Sequence, residues 1–504
     1  MKLPYLIVQC GGLGTRMQYL TANKPKCMIS VLGSPLIKHL KSTFKDSKLV
    51  IIGSYKFGVL KQYLPIIFDE ADYKLIYAKG KGSASGIKTA LEYIPKSTSF
   101  GVVWSDILFR KPVPLDKLNT DNYIGLTNNN FCRWTMKNQE LVEMGRAKNG
   151  IFGFFIFKNK KVIEDVPSSG EFVKYLSKKD KINFKPLYLD IYEVGTFEKY
   201  TSLISDPNIK NTRFFNSIEI NKGIVIKRAV DERFAKLINL EYHWYKYVSK
   251  YNYKNIPQLI GFPPLKISFI HGKHPFDFNA SNSERKKILN KIFDTLFRLH
   301  DLEQIAYDAN EDREVLVNKT ISRIDSVKPL LPKSKFKLNG TDIDLKKVKS
   351  NIRTAFQKIN LKPNFTVIHG DPTFSNMLVT ASGDVKLLDP RGYYGKKEIF
   401  GNPYYDFAKL YYSCIGNYDQ FNLKRFILNL DIDNKKGYLS IMSNGYEEVA
   451  QEVFDDRFSK VELKVIKIMH SLIWLALSGY VLDDYDSIIA SYLNGAKLLE
   501  GELR

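Results

Sequence analysis

From Leu3 to Asp106 the chain alternates short β-branched runs with helix-like segments: LPYLIVQC, PLIKHLKSTF, KLVIIGS, KFGVLKQYL, YKLIYAK, SASGIKTALEYI and SFGVVWSD. Parallel strands need crossover connections, and helices supply them. The alternation therefore predicts an α/β layer on a largely parallel sheet. The 504 residues leave room for two to four domains at about 100 to 200 residues each. At Ser205–Asn211 (SDPNIKN), Pro, Asn, Asp and Ser cluster, and adjacent strand-like runs follow, SIEINKGIVIKRA. This places a boundary there, with one domain over 1–205 and the remainder over 212–504.

Beyond the boundary the pattern is mostly helical. Over Ser281–His300, Ser281 and Glu284 can form a capping box, and Ile288, Leu289, Ile292, Leu296 and Leu299 share one face. The longest apolar stretch, Ser471–Leu482, falls short of the roughly 20 residues of a membrane span and reads as a buried core helix. The N-terminus lacks the apolar region and cleavage site of a signal peptide, so a cytoplasmic location is expected. No period of 20 to 50 residues is visible.

The balance of 76 Lys+Arg against 53 Asp+Glu gives a formal charge of +23. Its clusters, such as Lys158–Lys161, Arg285–Lys287 and Lys346–Lys349, are short and scattered, without aromatic interleaving. A lysine-rich solvated surface is the simplest reading, and no nucleic-acid partner is expected. Cys10, Cys27, Cys132 and Cys414 form no CxxC pair, and neither a disulfide framework nor a zinc site is indicated.

The first strand runs into CGGLGTRM, where Gly11, Gly12 and Gly14 let backbone approach a phosphate and leave N–H groups, including that of Thr15, free for it. The loop is neither a Walker motif nor a full dinucleotide fingerprint. Arg16 follows at once and Lys26 ten residues on, so two cations stand beside a phosphate-binding turn. The stretch CGGLGTRMQYLTANKPKCMISVLGSPLI resembles the signature of nucleotidyltransferases that join NTPs to sugar phosphates or phosphocholine, with Tyr19 and Cys27 where prolines are usual. GSASG, with Gly82 and Ser83, resembles that family's nucleotide-contacting segment. WSD and LDIYEVGTFEKY resemble the segments that supply two Mg²⁺ carboxylates. The resemblance implies a Rossmann-like domain in which Arg16 and Lys26 neutralise the leaving pyrophosphate while Asp106 and Glu193 hold Mg²⁺. The lysine that would contact the acceptor's phosphate has no counterpart near Leu141–Lys148.

Further on, VIHGDPTFSNMLVTASGDVKLLDPRG sets His369, Asp371, Asn376 and Asp389 in two strand-flanked clusters. Phosphoryl transfer from ATP to an alcohol uses such a set: a carboxylate to take the hydroxyl proton, and an Asn and an Asp to hold Mg²⁺. The motifs resemble those of the aminoglycoside and choline kinase superfamily. The resemblance implies a bilobal, protein-kinase-like α+β domain with a smaller lobe over about 212–270 and a helical lobe over about 271–504. Asp371 would be the base, with Asn376 and Asp389 the metal ligands. Lys227 and Glu241 would be the pair holding the nucleotide, Leu265–Ile270 the strand joining the lobes, and Asp406 a structural support. DPRG stands where choline kinases have D-W-E-Y, which argues against choline. The cluster Tyr242, Trp244 and Tyr245 reads as core packing, and His243, His271, His274 and His300 as exposed or satisfied histidines.

Together the resemblances imply a bifunctional enzyme. It would make X-phosphate from X and ATP, then NDP-X from X-phosphate and a second NTP, with Mg²⁺ at both sites. X would be a sugar destined for capsule, surface glycan or envelope material. Choline or another alcohol activated with CTP is the alternative reading, and one domain serving as a degenerate scaffold or sensor is the non-catalytic one. Oligomeric state and the base of the NTP are not legible.

Overall fold

The computed structural model describes residues 1–179, 182–206, 216–230, 232 and 235–504. The chain divides into two compact units, Met1–Asn211 with Leu482–Tyr485, and Thr212–Val481 with Asp486–Arg504. Most of the Ser205–Asn211 segment lies outside the described residues.

The first unit is built on a nine-stranded mixed sheet. Tyr5–Gln9 runs parallel to Lys48–Gly53 on one side and to Phe100–Trp104 on the other, and Tyr73–Tyr77 extends the first side. Leu6, Ile7 and Val8 are fully buried, as a strand covered on both faces requires. Gly150–Phe157 then pairs antiparallel with Phe100–Trp104, adding the mixed half of the sheet. Helices Leu36–Thr43 and Phe57–Ile67 fall on two of the segments read as helix-like. The third, SASGIKTALEYI, is helical over Ile87–Leu91 alone, and Gly86 before it takes φ 79°. A Cβ there would sit 2.5 Å from Ile52 Cγ2, so the sheet excludes any side chain at that position. Because successive strands leave Tyr5–Gln9 in opposite directions, the carboxyl ends of Tyr5–Gln9 and Phe100–Trp104 border a crevice, where ligands of open α/β sheets bind.

In the second unit, Asn216–Asn221 and Ile224–Ala229 form a hairpin. Lys222 (φ 46°) and Gly223 (φ 78°) supply the two left-handed residues of its tight turn. Leu265–Ser268 and Leu259–Gly261 complete a four-stranded antiparallel sheet. Helix Ala235–Ser249 buries Ile238, Glu241, Trp244, Tyr245 and Val248. The rest is mainly helical. Asn282–His300 starts with the foreseen Ser281/Glu284 capping box. Ile288 is half-buried, while Phe293, absent from the predicted face, is fully buried against Phe407 and Phe454, with ring centroids 5.7 and 4.9 Å away.

The apolar run Ser471–Leu482 is only partly helical. Its helix, Lys460–Leu477, is capped by Ser459 and Glu462 and stops five residues before the run does. At Gly479 a Cβ would meet the Arg323 carbonyl oxygen at 2.3 Å, so backbone-to-backbone contact, not loss of apolar character, marks the departure from the helix. No helix among the described residues is long and apolar enough to cross a membrane.

Candidate active sites

In the first unit the glycine turn sits at the carboxyl end of Tyr5–Gln9. Gly14 adopts φ 68°, and a Cβ on it would lie 2.8 Å from Thr21 Cγ2, so a side chain there would push the loop open. A Cβ at Gly12 would have nothing within 4 Å, which leaves that face open to a ligand. Arg16, Thr15 and Gly12 are exposed, and Arg16 makes no ion pair with any described residue. Lys26 donates to Asp106 Oδ2 at 2.6 Å, joining the two ends of the crevice.

Glu193 reaches the same place by strand pairing. Ile191–Glu193 runs antiparallel to Ile107–Phe109, with Glu193 opposite Ile107 next to Asp106. A Cβ at Gly195 would lie 2.7 Å from Glu193 Oε1 and 3.6 Å from Asp106 Oδ2. Both carboxylates therefore border a gap that only glycine leaves empty, and their hard oxygens suit Mg²⁺. Gly195→Ala should push Glu193 aside and lower nucleotidyl transfer ~10²-fold, the scale of removing one transition-state contact; unchanged turnover at saturating Mg²⁺ would show that the gap is not used.

The GSASG segment is held by Gln9, whose Nε2 donates to the Ser83 carbonyl at 2.6 Å and the Ser85 carbonyl at 2.9 Å. Gly82 (φ 88°) packs so tightly on Gly170 that a Cβ would sit 2.3 Å from its carbonyl oxygen. Ser83 Oγ accepts from the Phe172 amide at 2.9 Å, while Ser85 Oγ is buried without a partner. Sequence reading missed three participants. Gln9 sits inside an apolar strand and carries no motif. Ser85 was read only as part of the segment. Lys199 donates to Glu193 Oε2 at 2.6 Å from the start of helix Phe197–Ile204.

In the second unit Lys227, only 5% exposed, donates to Glu241 Oε2 at 2.7 Å and to Asp389 Oδ1 at 2.8 Å. Burial alone would push its ammonium pKa down, but the Asp389 and Glu241 carboxylates outweigh that and hold it above the usual value. Asn376 donates its amide to the Asp371 backbone carbonyl at 2.9 Å and to Oδ2 at 3.2 Å. Its own Oδ1 is buried with no hydrogen-bond partner. A buried unpartnered carbonyl beside a carboxylate-bearing strand end is the acceptor a hard cation would satisfy. The Asn376 backbone carbonyl also accepts from the Leu388 amide at 2.8 Å, which ties that residue to the Asp389 turn.

Asp371 pairs with Lys409 Nζ at 2.9 Å. Burial pushes its carboxyl upward, yet Lys409 and Arg391 bring it below the ordinary value, which keeps it ionised. Asp406 is completely buried and accepts from the His369 amide at 2.8 Å and the Gly370 amide at 2.7 Å, with His300 Nε2 at 3.1 Å. His369 Nε2 in turn lies 2.9 Å from the Leu388 carbonyl. Replacing Asp406 with Ala would strand two buried amides and should cost about 2 to 6 kcal/mol at roughly 1 to 3 per unsatisfied group. Chemical denaturation of the full chain checks this, and an unchanged unfolding profile would contradict it. Trp244 and Tyr245 are fully buried, and Trp244 Nε1 donates to the Ile368 carbonyl just before the HGD turn.

The parallel strands of the first unit carry the glycine turn and the Lys26–Asp106–Glu193 grouping at their carboxyl ends. Residues 6–120 match the nucleotidyl transferase family model. The chain is 26% identical to the bifunctional protein GlmU of Methanococcus vannielii over 124 residues, covering 24% of this chain and 28% of that protein. It is 29% identical to GlmU of Methanocaldococcus jannaschii over 107 residues, 20% and 25% of the two chains. The chain thus spans about a quarter of the length of the curated relatives it matches. Among solved structures, HddC from Yersinia pseudotuberculosis covers 40% of this chain and 98% of its own at 23% identity and TM-score 0.34. The inositol-1-phosphate CTP transferase from T. maritima covers 41% and 98% at 16% identity and TM-score 0.33.

Proposed function

We propose that the chain is a bifunctional enzyme that phosphorylates a small hydroxyl compound X with ATP and then joins X-phosphate to a second NTP, releasing pyrophosphate. The kinase half of this reading is carried by one observation, the simultaneous bonding of buried Lys227 to Glu241 and Asp389. Phosphoryl transfer depends on electrostatic neutralisation and positioning, and such a lysine, held between a helix glutamate and a metal-binding aspartate, is what ATP phosphates require. The neighbouring Asp371 and Asn376 would supply the base and the second metal oxygen. In this reading the second unit is a kinase-like domain, Leu265–Ser268 lines the nucleotide cleft, and domain limits of 1–205 and 212–504 follow.

For the first unit, the glycine turn, Gly82 and Ser83 would bind the NTP phosphates, with Arg16 and Lys26 facing the leaving pyrophosphate. Mg²⁺ would be held by Asp106 and Glu193, and its contribution is to neutralise charge on the α-phosphate. Lys26, Arg16 and the loop amides position the NTP so that an oxygen of X-phosphate can attack in line. X is read as a sugar for capsule, surface-glycan or envelope synthesis; a choline-type alcohol with CTP is the second possibility carried by the same motifs.

The test is incubation of the purified chain with Mg²⁺, ATP and each other common NTP. Sugars, amino sugars, polyols, hydroxy acids and choline serve as candidate acceptors, and nucleoside-diphosphate conjugates are read by mass. A sugar conjugate supports the reading and identifies the base. A CDP-alcohol moves X to the choline branch, and ATP consumption without any conjugate would overturn the coupling of the two reactions.

A further inference from the structure

Two cations act directly on Asp371, Lys409 and Arg391, and two more, Lys319 and Arg323, stand beside these. Lys319 and Arg323 lie one turn apart on helix Lys319–Ser326, on the same face, where like charges repel. The Lys319 ammonium stands 5.2 Å and the Arg391 guanidinium carbon 4.6 Å from the centroid of one ring, that of Tyr393. Arg391 donates through Nη2 to Tyr393 Oη and through Nη1 to Tyr405 Oη, both at 3.1 Å. Its backbone amide donates to the His369 carbonyl at 2.9 Å, and its Cβ would be 2.9 Å from a Cβ built on Gly370. Arg391 is thereby locked against the residue preceding Asp371. On the other side of Asp371, Lys409 makes its ion pair from helix Pro403–Cys414.

Among the described residues, none of Lys319, Arg323 and Arg391 forms an ion pair with a carboxylate: Lys409 alone pairs with Asp371, Arg323 donates to the Ala476 carbonyl at 3.4 Å, and Glu314 acts on Lys319 only through its field. The strain shows in Lys319, whose pKa is pushed down to about 6, first by burial and then by Arg391, Arg323 and Lys409. Arg323 is lowered for the same reasons, by burial and by Arg391. Proteins do not gather unpaired cations in a partly desolvated place without a cost, and a bound anion removes that cost.

Resting on the kinase reading of the second unit, we infer that its acceptor is an alcohol that already carries an anionic group, a carboxylate or a phosphate, held by Lys319, Arg323 and Arg391 with its hydroxyl at Asp371. The hydroxyl oxygen attacks the γ-phosphorus of ATP, and the bond from that phosphorus to the β–γ bridging oxygen breaks. ADP leaves, and the hydroxyl proton passes to the Asp371 carboxylate. The guanidinium of Arg391, fixed by two tyrosine hydroxyls, suits the planar or tetrahedral oxygens of either anion. A quaternary amine would meet four like charges there. X is therefore an acid or a phosphorylated sugar rather than a neutral or cationic alcohol, and an acid or phosphate must be installed on X before this enzyme acts.

The test compares D-glycerate, 3-phosphoglycerate, glucose 6-phosphate and glucuronate with glycerol, glucose and choline as acceptors of the γ-phosphate of [γ-³²P]ATP. The full chain, Asp371→Asn, Lys319→Ala and Arg391→Ala are assayed in parallel. The expected result is Asp371-dependent labelling of at least one anionic alcohol with kcat/KM ~100-fold above its uncharged counterpart. Lys319→Ala and Arg391→Ala should each raise KM for it ~10-fold or more, the scale of losing one charge-assisted contact. Carboxylate and phosphate acceptors tell which anion is used. Preferential Asp371-dependent labelling of choline, glycerol or glucose would overturn the anionic acceptor while leaving the kinase reading intact. So would an unchanged KM in both cation variants. No Asp371-dependent labelling of any acceptor would defeat the kinase reading itself, and this inference with it.

Discussion

Replacing Asp371 with Asn should abolish ATP-dependent phosphorylation of X, lowering kcat ~10³- to 10⁴-fold, the scale of losing a positioned general base together with its orienting role, while leaving nucleotidyl transfer from supplied X-phosphate unchanged. The substitution keeps the side chain's shape, and the Asn376 amide that holds Asp371 Oδ2 at 3.2 Å can still find an acceptor. The fold of the HGD turn rests on Asp406, which caps the His369 and Gly370 amides, so it should survive. The assay is product formation from X and ATP, followed by conjugate formation from X-phosphate. Loss of both activities in a protein that still unfolds normally would show that the two reactions do not have separate sites.

The complementary change, Lys26→Ala, should lower conjugate formation ~10²- to 10³-fold, as expected for removing a fixed cation from a developing pyrophosphate, and should spare phosphorylation of X. Lys26 also holds Asp106 at 2.6 Å, so part of the loss would come from a misplaced metal ligand. Arg16→Ala separates these contributions, because Arg16 is exposed, pairs with no described residue and supports no other site group. If Arg16→Ala lost nothing while Lys26→Ala lost nearly everything, the role of Arg16 on pyrophosphate would be withdrawn and that of Lys26 reassigned to holding Asp106.

What the sequence made legible was local. Glycines at the end of a strand, a capping box, and the HGD and DPRG clusters each set local geometry within a few residues. Gly14, with its left-handed φ, and Asn376, bonded back to Asp371, stand as that short-range pattern requires. Groups that act across the fold were not legible. Gln9 is a polar residue in an apolar strand, and its purpose shows only in its bonds to the Ser83 and Ser85 carbonyls, more than seventy residues away. Lys199, Lys319, Arg323 and Lys409 were indistinguishable among 76 basic residues until helices brought them beside carboxylates or beside one another. The apolar stretch ending at Leu482 misled for a related reason. Hydropathy continues through Val481, but the helix stops where Gly479 meets the Arg323 carbonyl, a contact made by backbone from a distant helix.

In the proposed sequence, the phosphate attached by the second unit is the one the first unit carries into the conjugate. Isotope tracing tests this most directly. The chain is given ATP labelled with ¹⁸O in its γ-phosphoryl group, an unlabelled second NTP, Mg²⁺ and X, and the conjugate is fragmented in the mass spectrometer. The expected result is label in the phosphoryl group next to X and none in the non-bridging oxygens of the one next to the nucleoside. A conjugate with no label beside X would contradict it, as would labelled X-phosphate that the same protein never converts.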